Sequence, residues 1–292
     1  MYVRKNAFKI LLREDIGRRD ITSELIIPPD RKARAVIITK QACLVCGIDI
    51  AREIFKAQDI KTKFTSPAKD GSFVKKGTIL AKIGGRAKSI LSAERVALNF
   101  LAVLSGIATK TQAFVRAIRP YKAKIFDTRK TIPGLRVLQK YAVRIGGGYN
   151  HRMTLSDMVL IKENHIKVTA AQRKNPASLK LMVDKARRRT GQKLKVEIEV
   201  RNLREFKEAL KAAPDIIMLD NMRLSQMKKA VRIMRASRSI QGPRRLGQPL
   251  LEASGGITLK NVKQIASAGI DIISVGGLTH SIDSIDLSLE IL

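Results

Sequence analysis

The chain has 292 residues, 45% of them hydrophobic, with 57 lysines and arginines against 25 aspartates and glutamates, a formal charge of +32. That length can bury one large core or two domains, and that apolar share excludes a chain disordered throughout. The charge alone would suggest a nucleic-acid or membrane partner, but only 4% of residues are aromatic and tryptophan is absent, so what is expected is nonspecific attraction to polyanions at low salt.

No apolar run approaches the roughly 20 residues of a membrane span, and the opening MYVRKNAFKILLRED lacks the apolar centre of a signal peptide. A cytoplasmic protein that does not engage a membrane is expected. Residues 1–30 combine a helical pattern at Phe8, Ile10, Leu11 and Leu12 with possible caps at Asp20, Thr22 and Ser23, before Pro28 and Pro29 stop any helix. Residues 32–85 read mostly as strand, in ARAVIITK, CLVCGIDI, TKFTSP and SFVKKGTILAKIGG, with a hairpin at Lys76 and Gly77. The only cysteines, Cys43 and Cys46, have no second pair and no histidine before His151. Packing as small apolar residues is preferred there to a zinc or redox site.

Residues 89–119 carry the longest helical signal, which Gly106 is expected to break. On this helix Arg95, taken by itself, reads as a solvated arginine. Beyond Lys122 short apolar strands alternate with amphipathic stretches: KIFD at 124, MVLIK at 158, KVEIEV at 195, DIIMLD at 215, LLEAS at 250 and DIISVGG at 271. This rhythm fits an α/β fold, a β/α barrel of six to seven strands, better than an open sheet. The domains expected are an N-terminal α+β domain over 1–108, a barrel over 109–280, and a C-terminal 281–292 packing on the first. The stretch 239–249, SIQGPRRLGQP, reads as a surface loop.

Each barrel strand stops at something polar, and β/α barrels bind their ligands at the carboxyl ends of the strands. Between Phe126 and His165 lie Arg129, Lys130, Lys140, Arg144, His151, Arg152 and Lys162, threaded with Gly134, Gly146, Gly147 and Gly148. So many cations suit a ligand with several negative charges. Glu199 and Asp220, one βα unit apart, either hold Mg²⁺ or face a developing cation, or make ordinary salt bridges to the lysines. Glu197 lies in register with Glu199 on one strand face. The Gly-Gly turns at Ser254-Gly255-Gly256 and Val275-Gly276-Gly277 close the last two strands, where backbone N–H groups can hold a phosphate. His151 reads either as a general acid or base or as a ligand-holding residue, with binding favoured. His165 and His280 read as shaping the rim.

The run TRKTIPGLRVLQKYAVRIGGGYNHR followed by LSDMVLIKENH resembles the core of the quinolinate phosphoribosyltransferases, also called nicotinate-nucleotide pyrophosphorylases (carboxylating). REDIGRRDIT, SAERVALNFLAVLSGIAT, VEIEV, IIMLDN, EASGGI and SVGGLTHS extend the likeness, in order, over nearly the whole chain. The resemblance implies phosphoribosyl transfer from phosphoribosyl pyrophosphate to quinolinate with loss of CO₂, giving nicotinate mononucleotide and pyrophosphate in NAD biosynthesis. It implies that Arg129, His151, Arg152 and Lys162, with Arg95 from a partner subunit, hold quinolinate. It also implies that Lys130, Glu199, Asp220, Ser254, Gly255 and Gly276 hold the donor, and Thr128, Gly256, Val275 and Gly277 complete the substrate-binding set. Lys130, Glu199 and Asp220 are then the catalytic set, with Mg²⁺ held directly or indirectly by the last two, in a homodimer with shared sites or a hexamer built from it. The chain departs from the family at Arg19, where glycine is common, at Ile145, where cysteine is frequent, and at Tyr149, where a smaller residue is usual. Two alternatives stand beside this one: a related group associated with molybdate transport, and a basic scaffold for RNA or DNA.

Overall fold

The computed structural model describes residues 5–171, 178–191, 193–241 and 248–292. It divides into two compact units, one of residues 1–112, 132–147 and 281–292, the other of 113–131 and 148–280. Residues 132–147, assigned to the barrel from the sequence, thus cluster with the first unit. Most of the expected surface loop 239–249 lies outside the described residues; its first three residues continue the helix Leu224–Gln241.

The first unit contains β1 (Lys32–Thr39), β2 (Cys43–Leu44), β3 (Lys63–Thr65), β4 (Phe73–Val74) and β5 (Ile79–Arg86). The second contains β6 (Lys124–Phe126), β7 (Val159–Ile161), β8 (Val196–Val200), β9 (Ile216–Asp220), β10 (Leu250–Ser254) and β11 (Ile272–Ser274). The last strand, β12 (Leu287–Ile291), returns to the first unit and pairs antiparallel with β1.

The first sheet runs β12-β1-β5-β3, antiparallel throughout. Phe8, Leu12, Ile37, Ile54, Phe55, Leu80, Ile90 and Leu101 form its core, bringing together the helices Lys5–Ile16, Ile48–Gln58 and Ala87–Ala117. Asp20 caps the short helix Ile21–Ile26 by accepting from Ser23 N at 3.0 Å. Cys43 and Cys46 are free and buried, and burial pushes both thiols up. They pack as small apolar residues, as expected.

Two expectations fail here for physical reasons. Lys76 and Gly77 do form a turn, with Gly77 at φ +83°. The flanking strands do not pair with each other, because β4 pairs with β2 while β5 lies between β1 and β3. Nor does Gly106 break the long helix, which continues from Ala87 to Ala117. Glycine serves close approach instead: a Cβ at 106 would lie 2.2 Å from the carbonyl oxygen of Asp283. Alongside, Ile285 N donates to Ala102 O at 3.1 Å, seating the C-terminal segment on the helix. By length and composition this helix could cross a membrane, but Leu101 and Leu104 on its apolar face are buried in the protein.

In the second unit the parallel sheet runs β6-β11-β10-β9-β8-β7. Strands β7 to β11 are neighbours in chain order, and β6, the first in sequence, pairs with the last. Among the described residues β6 and β7 do not pair; Tyr149 instead forms a one-residue parallel bridge to Phe126, its N–H donating to Ile125 O and its C=O accepting from Asp127 N. The six strands are those read from the sequence, and the Tyr149 bridge supplies a seventh short element.

Paired residues in a parallel sheet point to the same side. Met158, Ile216 and Ile272, one from each of three strands or strand starts, pack with Phe126 and Leu250 as an inner apolar layer. Glu197 is paired with Ile216, and Glu252 with Ile272, so both carboxylates enter the same interior. On the same faces, two to four residues further along toward the carboxyl ends, come Lys162, Glu199, Asp220, Ser254 and Ser274.

Candidate functional site

The end of β6 fixes the cationic side of the site. Asp127 is fully buried and accepts from Asn150 Nδ2 at 2.6 Å and from His151 N at 2.9 Å, tying the glycine-rich loop to the strand. Arg129 and Arg152 come close enough that the charge of Arg129 adds to burial in pulling the Arg152 guanidinium below its usual value. Among the described residues Arg129 Nε is buried without a hydrogen-bond partner, and Arg152 Nη1 donates to Met158 O at 3.2 Å. Two neighbouring guanidiniums with a spare buried donor are suited to an anion.

Lys130 follows. Its N–H donates to Thr128 Oγ1 at 3.1 Å, and its carbonyl accepts from Thr279 Oγ1 at 2.7 Å. A Cβ on Gly276 would stand 3.2 Å from Lys130 Cδ, so glycine at 276 gives the lysine its path across the turn after β11. The turn after β10 is tighter. Gly255 has φ +86°, and a Cβ there would lie 2.1 Å from Asn221 Oδ1. Asn221, itself at φ +52°, donates its N–H to Ser254 O at 2.9 Å and its Nδ2 to Asp220 Oδ2 at 3.2 Å, joining the ends of β9 and β10.

The expected metal pair stands on adjacent strand ends. Glu199 Oε2 already accepts from Lys162 Nζ at 2.7 Å, whereas Asp220 is half-buried beside Asn221. Two carboxylates on neighbouring strands fit a hard cation completed by ligand oxygens.

Beneath them lies a second acidic group. His151 Nε2 is 3.1 Å from Glu197 Oε2 and 3.6 Å from Glu252 Oε2, and its Nδ1 accepts from Arg152 N at 2.9 Å. Burial pushes the Glu197 carboxyl up, helped by the charge of Glu252 and opposed by His151. For His151, burial favours the neutral ring, but the two glutamates outweigh it and favour the protonated one. The Arg152 amide decides the matter locally, since a protonated Nδ1 would set N–H against N–H. Assigned from its partners, the ring is the Nε2–H tautomer.

The structure thus gathers Thr128, Arg129, Lys130, His151, Arg152, Lys162, Glu199, Asp220, Ser254, Gly255, Gly256, Val275, Gly276 and Gly277 in one unit, on or just beyond strand ends. Arg95 is exposed on the Ala87–Ala117 helix of the first unit, without an ion pair among the described residues. Lys140, counted from the sequence among the rim cations, is fully buried on the first unit's helix Arg136–Ile145. His165 accepts Lys162 N at 2.9 Å, a local capping contact. Asp127, Asn221 and Glu252 escaped sequence reasoning; for Glu252 the signal was period two, which places it on the same strand face as Ser254.

The model of the quinolinate phosphoribosyl transferase C-terminal domain matches residues 107–290, and that of the N-terminal domain residues 20–105. A probable nicotinate-nucleotide pyrophosphorylase (carboxylating) of Methanocaldococcus jannaschii is 41% identical over 291 residues, covering 98% of this chain and 97% of its own. Its Bacillus subtilis counterpart is 38% identical over 278 residues, covering 95% and 90%. The solved structure of the Francisella tularensis nicotinate-nucleotide pyrophosphorylase superposes with a TM-score of 0.87 at 39% identity, over 99% of this chain and 98% of that one. With both domain models matched in order and identity held from end to end, this chain belongs to the quinolinate phosphoribosyltransferase family.

Proposed function

We propose that this protein transfers the phosphoribosyl group of phosphoribosyl pyrophosphate to the ring nitrogen of quinolinate and releases CO₂, forming nicotinate mononucleotide and pyrophosphate for NAD biosynthesis. The observation that carries the reading is family membership across both domains; the charge pattern of the strand ends supports it. Arg129 and Arg152, with Lys162 and the partner subunit's Arg95, answer the two carboxylates of quinolinate, and His151 stands at the base of this clamp. Thr128, Lys130, Ser254, Gly255, Gly256, Val275, Gly276 and Gly277 receive the phosphates of the donor, the glycines admitting backbone N–H groups to close range.

As pyrophosphate departs, the ribose gains oxocarbenium character. Lys130 then meets the leaving negative charge, while Glu199 and Asp220 face the positive ring. Mg²⁺, held by Glu199 and Asp220 directly or indirectly, would neutralise the pyrophosphate when bound. Transfer makes the pyridine nitrogen cationic, and the electrons left by the departing CO₂ are stabilised next to it. We also infer a homodimer with shared sites, or a hexamer built from it, a cytoplasmic location, no membrane engagement, and only nonspecific attraction to nucleic acid.

The test is to incubate the protein with carboxyl-labelled quinolinate, phosphoribosyl pyrophosphate and Mg²⁺. Stoichiometric CO₂ and nicotinate mononucleotide are expected; turnover of another acceptor with none of quinolinate would overturn the reading.

A further inference from the structure

Glu197 and Glu252 take no part in the reaction above, yet both are fully buried. Glu197 Oε1 and both oxygens of Glu252 lack a hydrogen-bond partner among the described residues. Buried carboxylates so poorly answered are unfavourable, and apolar side chains of similar size would fill the space at lower cost. A role in stability therefore does not account for them.

They face His151. Its Nε2 points at Glu197 Oε2, 3.1 Å away, with Glu252 Oε2 at 3.6 Å, and its Nδ1 accepts the N–H of Arg152 at 2.9 Å. A ring nitrogen that accepts carries no proton, so Nε2 carries it and donates inward. This sets aside a metal centre, although the ligand atoms of the three residues lie within 4.8 Å of one another: a protonated Nε2 has no lone pair to give.

We propose that Glu197 and Glu252 are positioning residues for the anion clamp. They draw the His151 Nε2–H into the interior; the ring so turned presents Nδ1 to the Arg152 amide, and the main chain there holds the Arg152 guanidinium beside Arg129. Asp127 holds the same turn from the other side, by accepting from His151 N and Asn150 Nδ2. The proposal rests on the reading of this chain as a quinolinate phosphoribosyltransferase only for the identity of the anion clamped.

The experiment compares wild type, Glu197→Gln, Glu197→Leu and Glu252→Leu for kcat, for both KM values and for thermal midpoint. Gln keeps an acceptor oxygen opposite Nε2; Leu does not. Glu197→Leu is expected to raise the quinolinate KM about tenfold or more while the phosphoribosyl pyrophosphate KM stays within about twofold. Glu197→Gln should return the quinolinate KM to within about threefold of wild type, and Glu252→Leu should act in the same direction as Glu197→Leu but less, its oxygen being farther away. The thermal midpoint of Glu197→Leu should not fall. Equal quinolinate KM values for Gln and Leu, or both KM values rising together, would overturn the proposal.

A measurement on the unmutated chain covers variants that do not fold: long-range ¹⁵N–¹H spectra of the imidazoles should show His151 protonated at Nε2 and bare at Nδ1, and the opposite tautomer refutes the strut. If wild type does not turn over quinolinate, the functional reading fails, and the tautomer still decides this one.

Discussion

Lys162 Nζ and Glu199 Oε2 stand 2.7 Å apart, a cation and a carboxylate at the mouths of neighbouring strands β7 and β8. Each therefore sets how the other meets a ligand. The lysine belongs to the quinolinate side of the proposed site and the glutamate to the ribosyl side.

Neutralising the glutamate separates the two sides. Glu199→Gln removes the charge that answers the positive ribose and leaves Lys162 freer to grip an anion. A fall in kcat of about 10²-fold is expected, with the quinolinate KM unchanged or lowered; Asp220→Asn should reduce kcat in the same direction. Steady-state kinetics with each substrate varied will decide, and a variant whose only defect is a higher quinolinate KM would move Glu199 to the acceptor side.

The clamp should also discriminate. Nicotinate lacks one of the two carboxylates and leaves part of the Arg129, Arg152 and Lys162 charge unanswered, so its kcat/KM should be at least ~100-fold below that of quinolinate. Comparable values for the two acids would show that these cations do not grip both carboxylates.

Gly106→Ala sets local propensity against packing. In a helix interior alanine is favoured over glycine by about 1 kcal/mol, yet the added Cβ would fall 2.2 Å from Asp283 O. Overpacking of this kind costs about 1–3 kcal/mol, so a lower thermal midpoint is expected. A higher one would mean that the C-terminal segment yields without loss.

Arg95 tests the shared site. Arg95→Ala and Lys162→Ala should each be nearly inactive alone, yet a heterodimer of the two has one pocket with both lesions and one with neither. About half of the wild-type activity per heterodimer should return after subunit exchange. Confirmed exchange without recovery would confine Arg95 to its own subunit or to the interface.

The six barrel strands were legible because buried parallel strands are short apolar runs that end abruptly at polar residues, as MVLIK and DIIMLD do. The strand-end site was legible for the same reason. What could not be read depended on partners distant in sequence. The turn at Gly77 is a local property, but which strands pair across it is settled by β1 and β2. Gly106 carries the local mark of a helix breaker, and only Asp283, 177 residues later, gives it another meaning. Glu197 read only as alternation with Glu199, and Glu252 carried no reading, because the His151 ring that both face comes from a loop distant in sequence. Tyr149 marked a departure in pocket volume, and its place as a bridge to β6 depended on backbone hydrogen bonds that no side-chain pattern announces.

That bridge makes Gly147-Gly148-Tyr149 something other than the slack loop its composition suggests. With the N–H and C=O of Tyr149 both engaged by β6, its ring stacked on Phe126 at 5.4 Å and Lys124 Nζ over the ring at 4.7 Å, the segment is registered to the sheet. The Tyr149 amide should then exchange with solvent on the slow timescale of β6 rather than on that of a glycine loop. Arg129 and Arg152, 23 positions apart in the chain, would move as parts of one rigid jaw, so that the distance between the two guanidiniums is set by sheet geometry before any ligand arrives.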